Sequence, residues 1–350
     1  MKTFSLVSYT FSHFAVDFSC FWILFGSFSP SVSSSEKIAL GFIIYNFIAF
    51  GLQMLIGAYC DDHRKFPAAS LGCILVFAAV FISVLSPWTA LFVTALGNAF
   101  FHVGGGIDSL VNSGGKLYRG GVFVSAGAAG VVLGTLVGGK TGFSDFNPIN
   151  LIDPAALVLI GAVLCFIAQK KCRMEGDIEI KGAASEKTAV ALVITLALVS
   201  VVIRSFGGTA IPMEWKTGPQ IGLYAGYAAF LGKFIGGFAA DIFGARRTGI
   251  LSLLFSVPFL VFGNENAVIS LIGIVLFNMT MPITLGIIAE KMPKNPGIAF
   301  GLTTAALLLG VVPSFFVALG GKIALLIPAI IISAVCVFFA AGNKKSALEE

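Results

Sequence analysis

The sequence predicts an all-α membrane protein with twelve transmembrane helices in two pseudo-symmetric six-helix bundles. Three observations predict this fold class: apolar segments of about 20 residues recur along the chain, a loop motif recurs 180 residues later, and basic residues are concentrated in alternate loops. Hydrophobic residues make up 57% of the chain and charged residues 11%, whereas soluble domains carry about 25% charged residues. The net charge of +5 does not indicate nucleic-acid binding, because the basic residues lie in short loops between apolar segments.

Each predicted helix is an apolar segment bounded by polar residues. The twelve segments are 4–28, 37–59, 67–86, 88–112, 120–142, 150–169, 188–211, 218–240, 248–262, 267–289, 297–319 and 322–342. Since several are short or closely spaced, ten or eleven helices are the alternative. A longer polar stretch at the chain midpoint predicts a linker between two bundles. The predicted division is an N-terminal six-helix bundle in residues 1–169, a cytoplasmic linker in residues 170–187 and a C-terminal six-helix bundle in residues 188–350.

Two loops carry the clearest trace of an internal repeat. In each loop a glycine, three further residues and an aspartate precede a basic pair, and the two aspartates are Asp61 and Asp241. The second loop lies 180 residues after the first, and Asn278 lies at the same distance after Asn98. Two similar halves predict a functional site at the interface between them.

The loop charges predict the orientation of the chain in the membrane. With the N-terminus inside, sixteen Lys and Arg residues fall on the cytoplasmic side and four fall on the other side, at Lys37, Lys140, Lys216 and Lys322. This asymmetry follows the positive-inside rule and predicts that both termini are cytoplasmic. We therefore expect a multi-pass integral protein of a bacterial-type cytoplasmic (inner) membrane.

The second loop contains the complete pattern G-x-x-x-D-x-x-G-x-[RK]-[RK], whereas in the first loop Arg64 stands at the position of the second glycine. This signature, together with the repeat, resembles the major facilitator superfamily over the whole chain. Residues His13–Asp17, Gly97–His102 and the glycine-spaced fifth segment resemble the fosmidomycin-resistance-like efflux subgroup. That subgroup tends to continue after this histidine with Pro, an acid and an arginine. This sequence continues with Val-Gly-Gly-Gly, so the resemblance does not imply a shared substrate.

The resemblance implies a secondary active transporter that moves a small organic molecule by alternating access, as a proton-coupled efflux carrier or antiporter. It also implies that the two loops form a cytoplasmic gate that stabilises the outward-facing state. Physically, an Asp at a helix end can accept hydrogen bonds from the first amides of a neighbouring helix, while a basic pair holds the acid. Ordinary helix-end charge is the alternative. The predicted gate residues are Asp61, Arg64, Lys65, Asp241, Arg246 and Arg247.

The main candidate for coupling chemistry is the pair formed by His13 and Asp17. At about 1.5 Å per residue, Asp17 lies roughly 18 Å into the first segment, close to mid-membrane. A charge at that depth costs at least about 2.5–3.5 kcal/mol, so it should face a partner or a cavity. His13 lies one turn earlier on the same face, and a His–Asp pair can hold or pass a proton. The alternative is a static hydrogen-bonded pair that packs the first helix.

Polar residues in other segments extend the candidate site. Arg204, in the counterpart of the first segment, faces the central cavity, where it could pair with Asp17, or it pairs locally. In the cavity it would also suit an alternative function, uptake of an anionic metabolite. His102 precedes three glycines, while Asn98 and Asn278 lie at matching depth. For these three residues, both a substrate contact and helix packing are open. The predicted substrate and proton-coupling residues are His13, Asp17, Asn98, His102, Arg204 and Asn278.

Motifs of common enzyme classes are missing from the sequence, including H-E-x-x-H, G-x-S-x-G and the P-loop that ATP-driven transport needs. We therefore expect no enzyme activity, no catalytic residues, no metal site and no cofactor, with the proton gradient as energy source. The expected partners are a small-molecule substrate and the lipid bilayer, with no nucleic acid, and the expected state is a monomer. A non-transporting membrane receptor is the alternative from another class, although such receptors usually add a soluble domain.

Overall fold

The computed structural model describes residues 2–140, 148–173, 187–217, 219–317 and 323–342. Within these ranges the chain forms twelve helical segments, named α1 to α12 here. The first six are α1 (Lys2–Trp22, continued by the π-helical Ile23–Phe28 and by Ser29–Ser31), α2 (Ser35–Gly51 and Gln53–Asp62), α3 (Ala68–Leu85), α4 (Pro87–Val111), α5 (Leu117–Lys140) and α6 (Ile152–Arg173, preceded by a 3-10 turn at Pro148–Leu151). The last six are α7 (Lys187–Ala210), α8 (Pro219–Phe243), α9 (Ala245–Phe262), α10 (Ala267–Asn278 and Thr280–Lys291), α11 (Pro296–Val311, followed by a 3-10 turn at Val312–Phe315) and α12 (Ile323–Ala340).

These twelve helices correspond one to one to the twelve predicted segments, so the predicted fold class is confirmed. Eleven of the described helices are long and apolar enough to cross a membrane. Helix α8 is not among those eleven, which were sought in the described residues alone. Its 25 residues nevertheless span about 37 Å at 1.5 Å per residue. Large apolar side chains such as Phe81, Phe166, Phe255 and Phe339 are exposed on the outside of the molecule, as expected of an integral membrane protein.

Each half repeats the same helix packing. Helix α1 packs against α5 and α6, and its counterpart α7 packs against α11 and α12. The pairs α3 with α4 and α3 with α6 likewise have counterparts in α9 with α10 and α9 with α12. The halves contact each other mainly through two symmetry-related pairs, α2 with α11 and α5 with α8.

A glycine stripe on α5 brings its backbone against α1. A Cβ atom added at Gly134 would lie 2.2 Å from the carbonyl oxygen of Phe18, and one added at Gly138 would lie 2.9 Å from the carbonyl oxygen of Trp22. Only glycine permits this approach, because any side chain would occupy the space of the neighbouring main chain. The close contact holds the polar positions of α1 against α5.

The predicted linker is only partly within the described residues. Helix α6 continues through Lys170–Arg173, the first four residues of the predicted linker, and α7 begins at Lys187, its last residue. Residues 174–186 lie outside the described ranges. The linker and its cytoplasmic location therefore stay predictions.

Candidate functional site

A cluster of four polar side chains is buried where α1, α4 and α5 meet. His13 is 4% exposed, Asp17 6%, Asn98 3% and His102 8%. Phe101 and the other apolar residues around them provide no hydrogen bonds, and buried polar groups are costly unless they are hydrogen-bonded. The four side chains must therefore satisfy one another or the main chain.

The carboxylate of Asp17 accepts a hydrogen bond from α4 and lies close to two imidazole rings, one on its own helix and one on α4. Asn98 Nδ2 donates to Asp17 Oδ1 at 2.9 Å. His13 Nε2 lies 3.3 Å from Asp17 Oδ2, and His102 Nε2 lies 3.7 Å from Asp17 Oδ1. The amide donor at Oδ1 fits an ionised carboxylate, which only accepts hydrogen bonds, and a positive charge shared by the two imidazoles would balance it.

Two main-chain carbonyls determine the tautomers of the two histidines. His13 Nδ1 lies 2.8 Å from the carbonyl oxygen of Phe123, and His102 Nδ1 lies 2.9 Å from the carbonyl oxygen of Asn98. A carbonyl oxygen only accepts, so each Nδ1 carries a hydrogen. The two Nε2 atoms then face each other at 2.9 Å. This is a hydrogen-bond distance. Because both Nδ1 atoms already carry the hydrogen of a neutral ring, the two Nε2 atoms would face each other with lone pairs only. A hydrogen bond between them therefore requires one additional proton.

The cluster fits beside α5 only because residue 127 is a glycine. A Cβ atom added at Gly127 would lie 2.3 Å from His13 Nε2 and 2.5 Å from Asp17 Oδ2. Neither Gly127 nor the carbonyl of Phe123 was among the predicted site residues. The glycine-rich character of the fifth segment was the sequence signal for this close approach, but it did not show which glycine faces the polar pair.

The second half contributes a buried arginine. Arg204 on α7 is 5% exposed, and its Nη1 donates to Thr284 Oγ1 on α10 at 3.2 Å. Its Nη2 is also buried, and no hydrogen-bond partner is found for it within the described ranges. Lys233 on α8 is partly buried and lies within electrostatic reach of both Arg204 and Asp17. Sequence reasoning missed Thr284, because a lone threonine in an apolar segment has no distinguishing pattern.

The six predicted residues are therefore divided between the halves. His13, Asp17, Asn98 and His102 form one cluster, whereas Arg204 bonds to Thr284. Asn278 Nδ2 donates to the carbonyl oxygen of Ile274 in its own helix at 2.9 Å. In this conformer, the repeat partners Asn98 and Asn278 make different contacts.

The two signature aspartates cap helices of the opposite half. Asp61, at the end of α2, accepts from the amides of Gly297 at 2.8 Å and Ile298 at 2.9 Å, in the first turn of α11. Asp241, near the end of α8, accepts from the first two amides of α5, at 3.0 and 2.9 Å. Each carboxylate thus binds the positive end of a helix dipole across the interface. We call these two contacts the latches, and the end of the molecule where they lie the latch end.

The basic residues of the two loops are placed differently from the aspartates. Arg64 Nη2 donates to the carbonyl oxygen of Lys294 at 2.8 Å, so it also bridges the halves. The guanidinium of Arg246 lies 3.6 Å from the centre of the Phe338 ring. Lys65 and Arg247 are exposed. The arginine at position 64, where the signature has a glycine, therefore adds an inter-half hydrogen bond beside the Asp61 latch.

Aromatic residues fill the space next to the polar cluster. The rings of Phe123 on α5 and Phe300 on α11 lie 6.4 Å apart, and both residues are buried. A Cβ atom added at Gly106 on α4 would lie 2.5 Å from the Phe300 ring, so the glycine makes room for it. Phe300 belongs to the helix that the Asp61 latch caps. Closing that latch thus places an apolar side chain of one half against the site helices of the other.

Comparisons with known proteins agree with this architecture. No protein-family model matches the sequence, and a comparison with curated proteins also gives no match. The structure is similar to that of a Major Facilitator Superfamily transporter, FucP, in the outward conformation, with a TM-score of 0.61, 13% sequence identity, and coverage of 96% of this chain and 97% of that chain. A structure of a variant of FucP, the E. coli fucose:proton symporter, is similar to the same degree, with a TM-score of 0.61 and 14% identity.

A third solved structure gives the same result. It is a bacterial homologue of the iron transporter ferroportin in an outward-facing state, with a TM-score of 0.61, 12% identity, and coverage of 97% of each chain. At such low identity the likeness shows the fold, and this chain has the fold of major facilitator superfamily transporters. The closer resemblance to the fosmidomycin-resistance-like subgroup stays a prediction.

Proposed function

We propose that this protein is a secondary active transporter that moves a small organic molecule by alternating access. The fold supports this class. The observation that carries the proposal further is the 2.9 Å contact between the Nε2 atoms of His13 and His102. It provides a place for one proton beside the Asp17 carboxylate in the interior, so the proton gradient is the proposed energy source.

The charge of the cluster explains how a proton would affect the conformation. With one proton on the two histidines and Asp17 ionised, the cluster is neutral overall. Loss of that proton leaves a net negative charge inside an apolar bundle, which is unfavourable unless water or a cation reaches it. The closed packing of Phe123 and Phe300 therefore favours the protonated cluster. Release of the proton would favour a conformer in which the cluster is hydrated.

The latches supply the proposed gate. Asp61 and Asp241 hold the halves together at the latch end in this conformer, and the loop charges predict that this end is cytoplasmic. The conformer would then be outward-facing, like the solved structures of FucP and the ferroportin homologue. Monomeric function in a bacterial-type inner membrane, with both termini cytoplasmic, is part of the same proposal.

Two directions of transport are proposed in order of preference. The resemblance to the efflux subgroup favours export coupled to proton entry, that is, antiport. Uptake of an anionic metabolite is the second candidate, and the buried Nη2 of Arg204 favours it. A bound cation is the alternative occupant of the cluster, because His13, Asp17 and His102 each offer one ligand atom and these atoms all lie within 4.8 Å of one another.

Transport by purified protein in proteoliposomes tests the proposal. A thermal-shift screen against drugs and metabolites at two pH values would identify a substrate, and its labelled form would be followed under an imposed pH gradient. The wild type is expected to move it in response to the gradient, and Asp17→Asn is expected to lose that response. Asp153→Asn, at an exposed acid at the start of α6, is the matched control. Full gradient-driven transport by Asp17→Asn would contradict the proton role.

A further inference from the structure

We infer that Arg204 and Lys233 form an anion-binding site, so that the transported molecule carries a carboxylate, phosphate or sulfonate group. This inference rests on the proposed transport function and names the chemical class of its substrate. The sequence left uptake of an anionic substrate open as an alternative function, with Arg204 as the only residue expected to bind the anion. The structure adds a buried donor on Arg204 that has no acceptor among the described residues, with Lys233 as a second cation within electrostatic reach.

The guanidinium of Arg204 has donors that the protein does not use. It presents five N–H groups in a planar fork that matches an oxyanion with two parallel hydrogen bonds. One of its nitrogens, Nη1, donates to Thr284. The other terminal nitrogen, Nη2, is buried and has no acceptor among the residues that the structure describes. Leaving a buried charged donor unpaired is unfavourable, and the oxygen of an anionic ligand would satisfy it.

Thr284 holds the arginine in place. Its hydroxyl lies 3.1 Å from the carbonyl oxygen of Thr280 and 3.2 Å from that of Met281, so it donates to its own helix. A lone pair of the same oxygen is left to accept from Arg204. The threonine thus positions the guanidinium without neutralising its charge.

Lys233 provides the second positive charge. It lies within electrostatic reach of Arg204, and the two like charges repel each other. In the described ranges, the ion pairs of Asp17 are with His13 and His102, and Asn98 occupies the same carboxylate. Asp17, the acid within electrostatic reach of Lys233, is therefore already engaged by three other residues. An anion bound at Nη2 of Arg204 would neutralise charge that the protein leaves unbalanced.

The charge on the anion site affects the charge on the cluster of His13, Asp17, Asn98 and His102, and the reverse is also true. Lys233 is within reach of His102 and Asp17 as well as Arg204. The groups involved are His13 and Asp17 on α1, His102 on α4, Arg204 on α7 and Lys233 on α8. When the cluster loses its proton, its net negative charge repels an anion and attracts Lys233. Anion and proton are therefore expected to bind more tightly together than separately, which favours the second candidate, uptake of an anion together with a proton, over the antiport preferred above.

Thermal stability of the purified protein in defined anions tests the inference. Inorganic phosphate, succinate and methanesulfonate would be titrated at constant ionic strength, with chloride as the reference anion. At least one is expected to give a saturable rise in Tm with the wild type. The apparent affinity should fall about 10- to 100-fold in Arg204→Gln, because a charged hydrogen bond is lost. Lys233→Gln should weaken it, and Arg204→Lys should retain part of it.

Lys216→Gln, at an exposed position, is the control and should respond as the wild type does. If Arg204→Gln fails to fold, Lys233→Gln and Arg204→Lys carry the test. No saturable response of the wild type to any of the three anions, or an unchanged response in a folded Arg204→Gln, would overturn the inference. Gradient-driven transport of a neutral substrate would contradict the anion site but would still support the proposed transport function.

Discussion

Two main-chain carbonyls determine the chemistry available to the buried histidines. Because Phe123 and Asn98 each accept from an Nδ1–H group, both Nε2 atoms are directed towards each other and towards Asp17. Neither histidine can switch tautomer without losing its hydrogen bond to a carbonyl. A proton shared by the two Nε2 atoms is therefore the simplest way to remove the repulsion between their lone pairs. A single acid–imidazole pair can bind a proton in several ways, whereas this arrangement specifies the two atoms that share it.

The space beside the cluster can be tested at Gly127. Gly127→Ala would place a methyl group within 2.3 Å of His13 Nε2, so the imidazole or the carboxylate must move. We expect a loss of about 1–3 kcal/mol in stability together with a loss of gradient-driven transport. Gly120→Ala, on the same helix, is the matched control, because an added Cβ there meets nothing within 4 Å.

Thermal unfolding in detergent and proteoliposome transport would measure both effects. The control substitution should be neutral or slightly stabilising, since alanine is favoured over glycine inside a helix by about 1 kcal/mol. A Gly127→Ala variant with the stability and transport of the Gly120→Ala variant would show that the cluster does not need the glycine.

The two repeat-related asparagines offer a second comparison of single residues. Asn98→Leu removes the amide that donates to Asp17 and leaves a buried carboxylate oxygen without that donor, which should cost about 1–3 kcal/mol. Asn278→Leu removes a hydrogen bond to a carbonyl within its own helix, and it should cost less than about 1 kcal/mol. Thermal unfolding of both variants would show the difference. Equal losses would contradict the different roles assigned to the two residues.

At the scale of helices, two aspartates make equivalent contacts although their loops differ in sequence. Asp61 caps α11 and Asp241 caps α5, each through two main-chain amides. Helix dipoles supply the attraction, and the flanking residues need only place the carboxylate. This explains why Arg64 is tolerated in place of the signature glycine. Each latch is therefore a property of two helix ends and does not depend on the complete loop motif.

Hydrogen exchange can test the latches one at a time. Asp61→Asn should speed amide exchange in the first turn of α11, because a neutral amide binds a helix N-terminus less well than a carboxylate by about 0.3–2 kcal/mol. Asp241→Asn should act in the same way on the first turn of α5. Mass spectrometry of peptides from both turns would report the change. Asp62→Asn, at the exposed neighbour of Asp61, is the control and should change amide exchange in neither turn. Faster exchange in both turns with all three variants would contradict the assignment of each latch to one helix end.

At the scale of the whole molecule, hydropathy was sufficient to predict the architecture. Apolar segments of membrane-spanning length specify helices almost by themselves, because the bilayer leaves few other backbone conformations. All twelve predicted segments therefore have a helix in the structure. The i, i+4 spacing of His13 and Asp17 also predicted that these two side chains lie on the same face of the first helix. These predictions depend on local sequence, where spacing and composition carry the information.

Contacts between distant segments could not be predicted in the same way. The approach of His102 to His13 depends on how α4 packs on α1, and the role of Thr284 depends on how α10 packs on α7. Neither packing leaves a local pattern in the sequence. The repeat suggested matching positions for Asn98 and Asn278, but a repeat of helix order does not require a repeat of side-chain contacts. Their hydrogen bonds differ because different residues surround them.

The central claim is that the latched molecule holds one proton between His13 and His102. Nitrogen NMR of protein labelled at histidine tests it directly, because the sequence has only 3 histidines and the exposed His63 provides a reference. We predict that both Nδ1 atoms are protonated and that one strongly hydrogen-bonded proton is coupled to both Nε2 atoms, with this signal lost in His102→Gln. Two neutral histidines with unprotonated Nε2 atoms throughout the pH range of the folded protein, or a shared signal that requires zinc, would contradict the claim.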